Sequence, residues 1–543
     1  MRKIIIFIAT FFLCFCLFSC NSVKVNDDFE NEIGAFEITA IQRELAANNN
    51  MNLPVLDAGR GNPNWIHTLS RYAFARLEEF ALNECERTYS NGDMAGQANH
   101  EGIGNRFKKY LNSNNKTDKF LLDSLDYCTN ELKLNEDEFV KELVDGIIGD
   151  YYPSPSRCLR NTEIILSKYI ESTLFNGNDI GNTKIFPTEG GSAAICYIFD
   201  SLNHNRLLKK GDKIAIATPI FTPYLQIPDV NNYGLVSVDV ETNIDDNWEI
   251  NDEEIDKLIN KDIKAFFLVN PSNPSAHALS SDTINKLKEV IEKNPDLIII
   301  TDDVYGTFVN NFETLYSAIP YNTILVYSFS KLYGATGWRI GLIAINENNV
   351  FDKLISKLNN EDKNYLFNEY SLVTDDPDNF PFVERIVADS RSIGLYHTSG
   401  LSTPQQIFMD LLALSHLVKD VDDYIDLSNE IINTRYLTLM NGLHLEPDLN
   451  EGNSKYYVLI DIYHLLETNY SKEFADYMIS TFSELDILNE LASKMGVVLM
   501  YGPGFEAKDY TMRVSLANLN NEDYIELSNR ILLYFGEYFD NYS

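Results

Sequence analysis

The sequence predicts an α/β protein: a mostly parallel sheet buried on both faces, with a smaller α+β domain attached. Three observations predict it. From about residue 150, short apolar runs alternate with amphipathic helical stretches. Those runs are almost continuously apolar, as strands covered on both sides are. Each notable polar cluster falls at the end of such a run, where ligands gather in sheets of this kind.

The chain of 543 residues is too long for one compact core, so at least two domains are expected. The 44 basic and 80 acidic side chains leave a formal net charge of −36. That field disfavours nucleic acid and anionic membrane surfaces as partners. An acidic substrate would require locally placed arginines.

Taken in order, residues 1–19 read as a signal segment. Arg2 and Lys3 precede an apolar run, Ile4 to Phe18, too short to span comfortably as a mature helix. The run ends in Leu17-Phe18-Ser19-Cys20, which is similar to a bacterial lipoprotein signal, with Cys20 as the lipidated residue. A plain cleaved signal and an uncleaved anchor are the competing readings. Residues 20–55 form a tether and arm, with a short helix from Phe36 to Ala46. Residues 56–149 carry a glycine-punctuated loop and a helical insert, assigned to the N-terminal part of the small domain. Residues 150–375 form the large domain. Its strands are expected at Lys213 to Ala217, Leu235 to Val240, Ile263 to Val269, Leu297 to Thr301, Thr323 to Tyr327 and Trp338 to Ile345. Residues 376–543 complete the small domain. Cys85, Cys128, Cys158 and Cys196 are scattered, with no ligand spacing to histidine, so neither a disulfide framework nor a metal site is expected.

The chemistry concentrates at three strand ends. Ile263 to Val269 runs into Asn270-Pro271-Ser272-Asn273-Pro274. Leu297 to Thr301 runs into Asp302-Asp303-Val304-Tyr305. Thr323 to Tyr327 runs into Ser328-Phe329-Ser330-Lys331. Asn273 to Asp302 and Asp302 to Lys331 are intervals of 29 residues each, about one βα unit. Asn273, Asp302 and Lys331 should therefore converge at one edge of one sheet. A lysine at the mouth of a buried strand is well placed to lose solvation and act as a nucleophile. Neighbouring serines and Arg339 can hold a phosphate, the arginine bidentately. A lysine that forms a Schiff base beside a phosphate site is what pyridoxal phosphate needs. In that frame Asp302 pairs with the pyridine nitrogen, and Tyr305 and Asn273 hydrogen-bond the ring oxygen. Gly190-Gly191-Ser192 opens a helix whose N–H groups suit a phosphate, and Phe221 offers a face to stack on the ring.

These motifs resemble fold type I pyridoxal-phosphate enzymes of the aspartate aminotransferase superfamily. Asn270-Pro271-x-Asn273-Pro274, Asp302-x-x-Tyr305, Ser328-x-Ser330-Lys331, Trp338-Arg339-x-Gly341 and Met512-Arg513-Val514-Ser515 carry the resemblance over roughly residues 150 to 520. It implies that Lys331 holds the cofactor and moves the substrate α-proton. It implies Gly191, Ser192, Ser328 and Arg339 on the phosphate, and Arg513, with Asn273, on the substrate α-carboxylate. Tyr152 would reach the phosphate of a neighbouring subunit, which implies a homo-oligomer, a dimer or an assembly of dimers.

A narrower resemblance rests on Ala58-Gly59-Arg60-Gly61-Asn62-Pro63-Asn64-Trp65, the helical insert, Ile148-Gly149-Asp150-Tyr151-Tyr152-Pro153, Thr218-Pro219-Ile220-Phe221-Thr222-Pro223-Tyr224, and His397-Thr398-Ser399-Gly400 through Gln406. With the length, these are similar to the L-aspartate 4-decarboxylase family. The activity implied is L-aspartate to L-alanine and CO2, with aspartate transamination onto a 2-oxo acid on the side. Arg60, Gly61 and Thr398 are the candidates near the side-chain carboxylate, where a looser grip than at Arg513 is expected, because a tight ion pair would stabilise the ground state against decarboxylation. A plain aminotransferase and a non-catalytic lipoprotein that keeps the fold are the rivals. The leader departs from the cytoplasmic location that the family implies.

Overall fold

The computed structural model describes residues 34–89, 94, 96–229, 233–419 and 423–542. Cys20 and the signal segment lie outside them. Among the described residues no helix is long and apolar enough to cross a membrane.

Twelve strands are defined among these residues. β1 (Leu56–Asp57) precedes the central sheet. That sheet contains β2 (Thr183–Thr188), β3 (Lys213–Thr218), β4 (Val236–Glu241), β5 (Ile263–Val269), β6 (Ile298–Asp302), β7 (Thr323–Ser328) and β8 (Gly341–Asn346). Their order is β2-β8-β7-β6-β5-β3-β4. The five strands from β7 to β4 run parallel, and β8 runs antiparallel to both its neighbours. This is the expected α/β class. Five of the six anticipated strands in this sheet fall within one residue of the expected bounds.

The differences have local causes. β8 starts at Gly341, not Trp338, because Thr336–Trp338 form a 3-10 turn and Arg339 takes a left-handed φ of 52°. β2 was not anticipated: it carries Pro187, which donates nothing to a ladder and suits the edge position that β2 occupies. The helix Ser281–Lys293 shows how directly pattern becomes structure. Ser280 caps it by accepting from the Thr283 N–H, and Ile284, Leu287 and Val290 form its buried stripe.

The smaller unit contains β9 (Tyr457–Asp461), β10 (Val497–Val498), β11 (Met500–Tyr501) and β12 (Thr511–Ser515). They form the sheet β11-β12-β9 and the pair β1-β10. Its core joins Leu56 and Ala58 to residues from Tyr436 onward, including Ile460, Phe474, Leu491 and Val514.

Here the domain expectation is corrected. The helices Thr68–Glu86, Ile103–Tyr110, Lys116–Asn130 and Glu136–Ile148 bury Leu77, Phe107, Leu121 and Phe139 in the same core as the central sheet. The helices Phe382–Asp389 and Thr403–Leu417, bearing Ile386 and Phe408, join that core too. Of the stretch 56–149, Leu56 and Ala58 belong to the small-unit core. The reason is the helix Thr403–Leu417, which is buried on nearly every side and contacts the helices Thr68–Glu86, Glu136–Ile148 and Arg160–Leu174.

Candidate active site

The register of the sheet brings the three strand ends level. Val269 pairs with Asp302, and Asp302 with Val326. Side chains alternate along extended chain, so Asp302, which ends β6, faces the cavity, while the next residue, Asp303, turns away and its carboxylate accepts from the Thr301 hydroxyl. The cavity holds about 330 Å³ between the sheet's C-terminal edge, the small unit and the N-terminal helix Ala35–Ala47. Lys331, Asp302, Asn273, Tyr305, Ser328, Gly191, Ser192, Phe221, Arg339, Arg513, Gly61 and Arg60 all line it. Sequence residues 452 positions apart, Gly61 and Arg513, thus share one wall.

The Lys331 ammonium donates to the Gly61 carbonyl at 3.0 Å, and the Tyr456 hydroxyl donates to the same oxygen at 2.9 Å. A Cβ on Gly61 would stand 2.3 Å from the Tyr457 hydroxyl and 3.4 Å from Lys331 Nζ, so close approach requires glycine there. Tyr305 and Tyr457 share a hydroxyl–hydroxyl hydrogen bond of 2.9 Å. Burial pushes the Tyr305 phenol well above its usual value, so it stays a neutral donor.

Asp302 has one carboxylate oxygen on the Tyr224 hydroxyl at 2.7 Å and the other on the Val304 N–H at 3.3 Å. Burial pushes its carboxyl up to about 6, against the pull of the Tyr224 hydrogen bond. A buried carboxylate held by neutral donors suits a protonated ring nitrogen. At the other end, Gly190 (φ 87°) caps the helix Gly191–His204, which presents its N-terminus to the cavity beside Ser192, Ser328, Ser330 and Arg339. The Ser328 hydroxyl donates to Ser330 Oγ at 2.8 Å, and Arg339 is tied to the Thr336 carbonyl at 2.9 Å. The Gln405 amide donates to the Trp338 carbonyl at 2.7 Å and so braces that turn. These residues fit pyridoxal phosphate: an anion cradle, a ring-nitrogen partner and a lysine share one cavity.

Arg513 is buried, donates to Asn273 Oδ1 at 3.0 Å and to the Gly59 carbonyl at 2.7 Å, and lies 4.2 Å from the Tyr457 ring centre. Its Nε is buried without a partner, and burial pushes its guanidinium below the usual value. A carboxylate supplied by a ligand would answer both.

Two expected residues are elsewhere. Thr398 does not line the cavity of this chain: its hydroxyl donates to the Leu395 carbonyl within a 3-10 turn at 2.8 Å. Tyr152 is 69% exposed and also outside it. Gly400 packs against Pro153 and Ser156, so the segments bearing Thr398 and Tyr152 sit together on the surface.

The cavity also contains residues to which sequence reading assigned no role. Phe36 and Arg43 come from the arm helix, Tyr224 follows Phe221 by three residues, and Tyr457 comes from β9. Arg43 is the one basic residue of its helix, which was a usable signal. Phe36 packs edge-on against Phe221 at 5.6 Å between ring centres.

A family model described as aminotransferase class I and II matches residues 184–531. A bifunctional aspartate aminotransferase and L-aspartate beta-decarboxylase from a Pseudomonas species is 40% identical over 502 residues, covering 91% of this chain and 94% of that protein. A probable aspartate aminotransferase from Methanocaldococcus jannaschii is 30% identical over 184 residues, 34% of this chain and 46% of that one. Among solved structures, a single mutant of Thermus thermophilus aspartate aminotransferase superposes with a TM-score of 0.58 at 15% identity, covering 94% of this chain and 99% of that one. That last likeness concerns the fold alone.

Proposed function

This chain belongs to the aminotransferase class I and II family, and from that premise we propose that it is a pyridoxal-phosphate-dependent L-aspartate 4-decarboxylase. It converts L-aspartate to L-alanine and CO2, with aspartate transamination as a side activity. The single observation that carries the reading is its similarity, along nearly the whole length, to the bifunctional relative.

The cofactor, when bound, supplies an electrophile for the substrate amine and a sink for electrons released at carbon. The protein does the rest. Asp302, held by Tyr224, would pair with the ring nitrogen, and Asn273 and Tyr305 with the ring oxygen. Ser192, Ser328, Arg339 and the helix N-terminus at Gly191 would hold the phosphate. Arg513 takes the α-carboxylate, and Lys331 moves the proton at Cα. The Cβ–carboxylate bond then breaks, CO2 leaves, the pair left on Cβ takes a proton, and Lys331 returns a proton to Cα to give alanine. Tyr457 and Phe221 narrow the space open to water, whose entry before that step would divert the reaction to transamination.

The reading includes a homo-oligomer in which the exposed Tyr152 reaches a partner's phosphate site, and export with lipidation at Cys20. Radiolabelled fatty acid appearing on the wild type but not on Cys20→Ser supports the second, and a purely cytoplasmic, unlabelled protein removes it.

The deciding assay uses purified holoenzyme and L-aspartate without added 2-oxo acid. Sustained, stoichiometric release of alanine and CO2, abolished in Lys331→Ala, is the expected result. Turnover that begins only after 2-oxoglutarate is added would leave a plain aminotransferase instead.

A further inference from the structure

The loop that carries Asn273 is fastened to the small unit twice. Inside the cavity, Asn273 Oδ1 accepts from Arg513 of β12 at 3.0 Å. The second fastening uses residues that do not line the cavity. Residues 276–278 run antiparallel to residues 452–454. The Ser454 N–H donates to the Ala276 carbonyl at 2.8 Å, the Ala278 N–H donates to the Gly452 carbonyl at 2.9 Å, and His277 pairs with Asn453 between them. The His277 side chain completes the contact. Its Nε2 lies 2.6 Å from Asp448 Oδ2, and its Nδ1 lies 2.7 Å from the Ser275 carbonyl oxygen. The bond from His277 holds the Asp448 carboxyl well below the usual carboxylate range, so Asp448 only accepts. With an acceptor on each side, the imidazole makes both bonds only with a hydrogen on each nitrogen. The Trp248 indole lies against it at 6.2 Å between ring centres.

Asp448 is anchored in the small unit. Its N–H donates to the Tyr436 hydroxyl at 2.7 Å, and Tyr436 belongs to that unit's core. Three residues after Ser454, β9 begins, and it pairs with β12 so that Leu459 stands opposite Arg513. The loop from Asn273 to His277 and the chain from Asp448 through β9 to β12 therefore close a ring, with one joint in the cavity and one outside it. Ala276 shows how firmly the outer joint is built. It is buried with a φ of 66°, a left-handed conformation that alanine keeps only where its surroundings over-determine it. Its N–H donates to the Ser272 carbonyl at 2.9 Å, and its own carbonyl also accepts the Ser454 hydroxyl at 2.9 Å.

We infer that His277 and Asp448 are positioning residues for the α-carboxylate site: their pair sets the place of the Asn273 loop, and through it the aim of Arg513. This rests on the reading that Arg513 takes the substrate α-carboxylate, and deepens it. Arg513 is buried, so no water re-aims its guanidinium; Asn273 and the Gly59 carbonyl do. Accepting from Arg513 through Oδ1 leaves Asn273 its Nδ2 as the donor for the cofactor's ring oxygen. One displacement of this loop therefore loosens the grip on substrate and cofactor together, and a shift near 1 Å is enough to spoil such geometry. The outer joint governs both without touching either.

The test measures equilibrium binding of succinate, a dicarboxylate with no amine to react, to the full-length holoenzyme by calorimetry. His277→Ala weakens succinate about 3- to 10-fold. Asp448→Ala breaks the same pair from its more exposed side and does the same, and the double variant binds no more weakly than either single one. In an Asn273→Ala background, neither change causes a further loss. A purely structural pair would lower the thermal midpoint and leave succinate affinity alone, or lower that affinity equally with and without Asn273. The inference is overturned if either single variant binds succinate as the wild type does, if the two losses add, or if the loss persists in the Asn273→Ala background. Asp448→Ala in both backgrounds decides the matter if His277→Ala does not fold. Arg513→Ala separates this inference from the reading beneath it. Succinate binding lost there but intact in His277→Ala removes the positioning role alone. Succinate binding unchanged in Arg513→Ala removes the carboxylate reading itself.

Discussion

The Tyr224 hydroxyl donates to Asp302 Oδ2 at 2.7 Å, and both residues are buried in the wall of the cavity. Asp302 meets neutral donors here, Tyr224 and the Val304 N–H. The Lys331 charge pulls its carboxyl down, though less than burial pushes it up.

The first prediction follows from this pair. The Asp302 carboxyl is raised from 3.8 to about 6 in the cofactor-free fold. A raised pKa contributes stability that is fully present below 3.8 and lost as pH rises through about 6. Relative to Asp302→Asn, the cofactor-free wild type should therefore lose about 2 kcal/mol between pH 4 and pH 7. Cofactor affinity should move the other way and weaken below about pH 6, where Asp302 holds a proton. Denaturation midpoints and absorbance titrations across that range check both signs.

Arg513 and Asn273 provide the second. Their hydrogen bond of 3.0 Å aims a buried guanidinium whose Nε has no partner. Arg513→Lys keeps the charge and loses the planar fork. The KM for L-aspartate should rise about 10- to 100-fold, since hydrogen bonds to charged groups are worth roughly 1.5–3 kcal/mol. Steady-state kinetics at saturating cofactor would expose a mistaken assignment as an unchanged KM.

Gly61 provides the third. Gly61→Ala drives a methyl to 2.3 Å from the Tyr457 hydroxyl and crowds Lys331 Nζ. The displaced phenol breaks its bond to Tyr305 and shifts the lysine off the Gly61 carbonyl. Turnover should fall by about 10²-fold, because misplacement near 1 Å costs that much in a positioned site. Because the adjustment falls on side-chain ends, the thermal midpoint should change little.

Gly334 gives the contrasting case. Its φ is +58°, and an added Cβ would lie 1.9 Å from the Trp65 carbonyl oxygen, which is backbone. That contact sits where the Trp65 indole N–H also donates to the Leu332 carbonyl at 2.9 Å. Gly334→Ala should destabilise the protein by about 2–4 kcal/mol, from overpacking plus left-handed strain. A calorimetric scan showing an unchanged midpoint would contradict this packing.

Much was legible in the chain itself. The central strands read out because strands buried on both faces need apolar residues at consecutive positions, and β5 matches its expected bounds residue for residue. The convergence of Asn273, Asp302 and Lys331 read out because equal βα spacings return the chain to the same edge of a parallel sheet. What local pattern could not carry was long-range packing. The helices between 68 and 148 are amphipathic whichever domain they cover, and packing against the buried helix Thr403–Leu417 decided that they join the large core. Thr398 looked like a site residue from its motif, yet its turn folds the hydroxyl back onto Leu395. Arg43 stands out as the one basic residue of its helix, but its pairing with Asp57, which also receives Arg60, is a tertiary contact. The sequence by itself determined the sheet and the chemistry at its strand ends, because hydrophobic period and βα spacing are local properties. Tertiary structure alone decided the walls that define the substrate: the closing of the arm helix, Tyr457 and Arg513 around the strand ends depends on contacts between residues hundreds of positions apart.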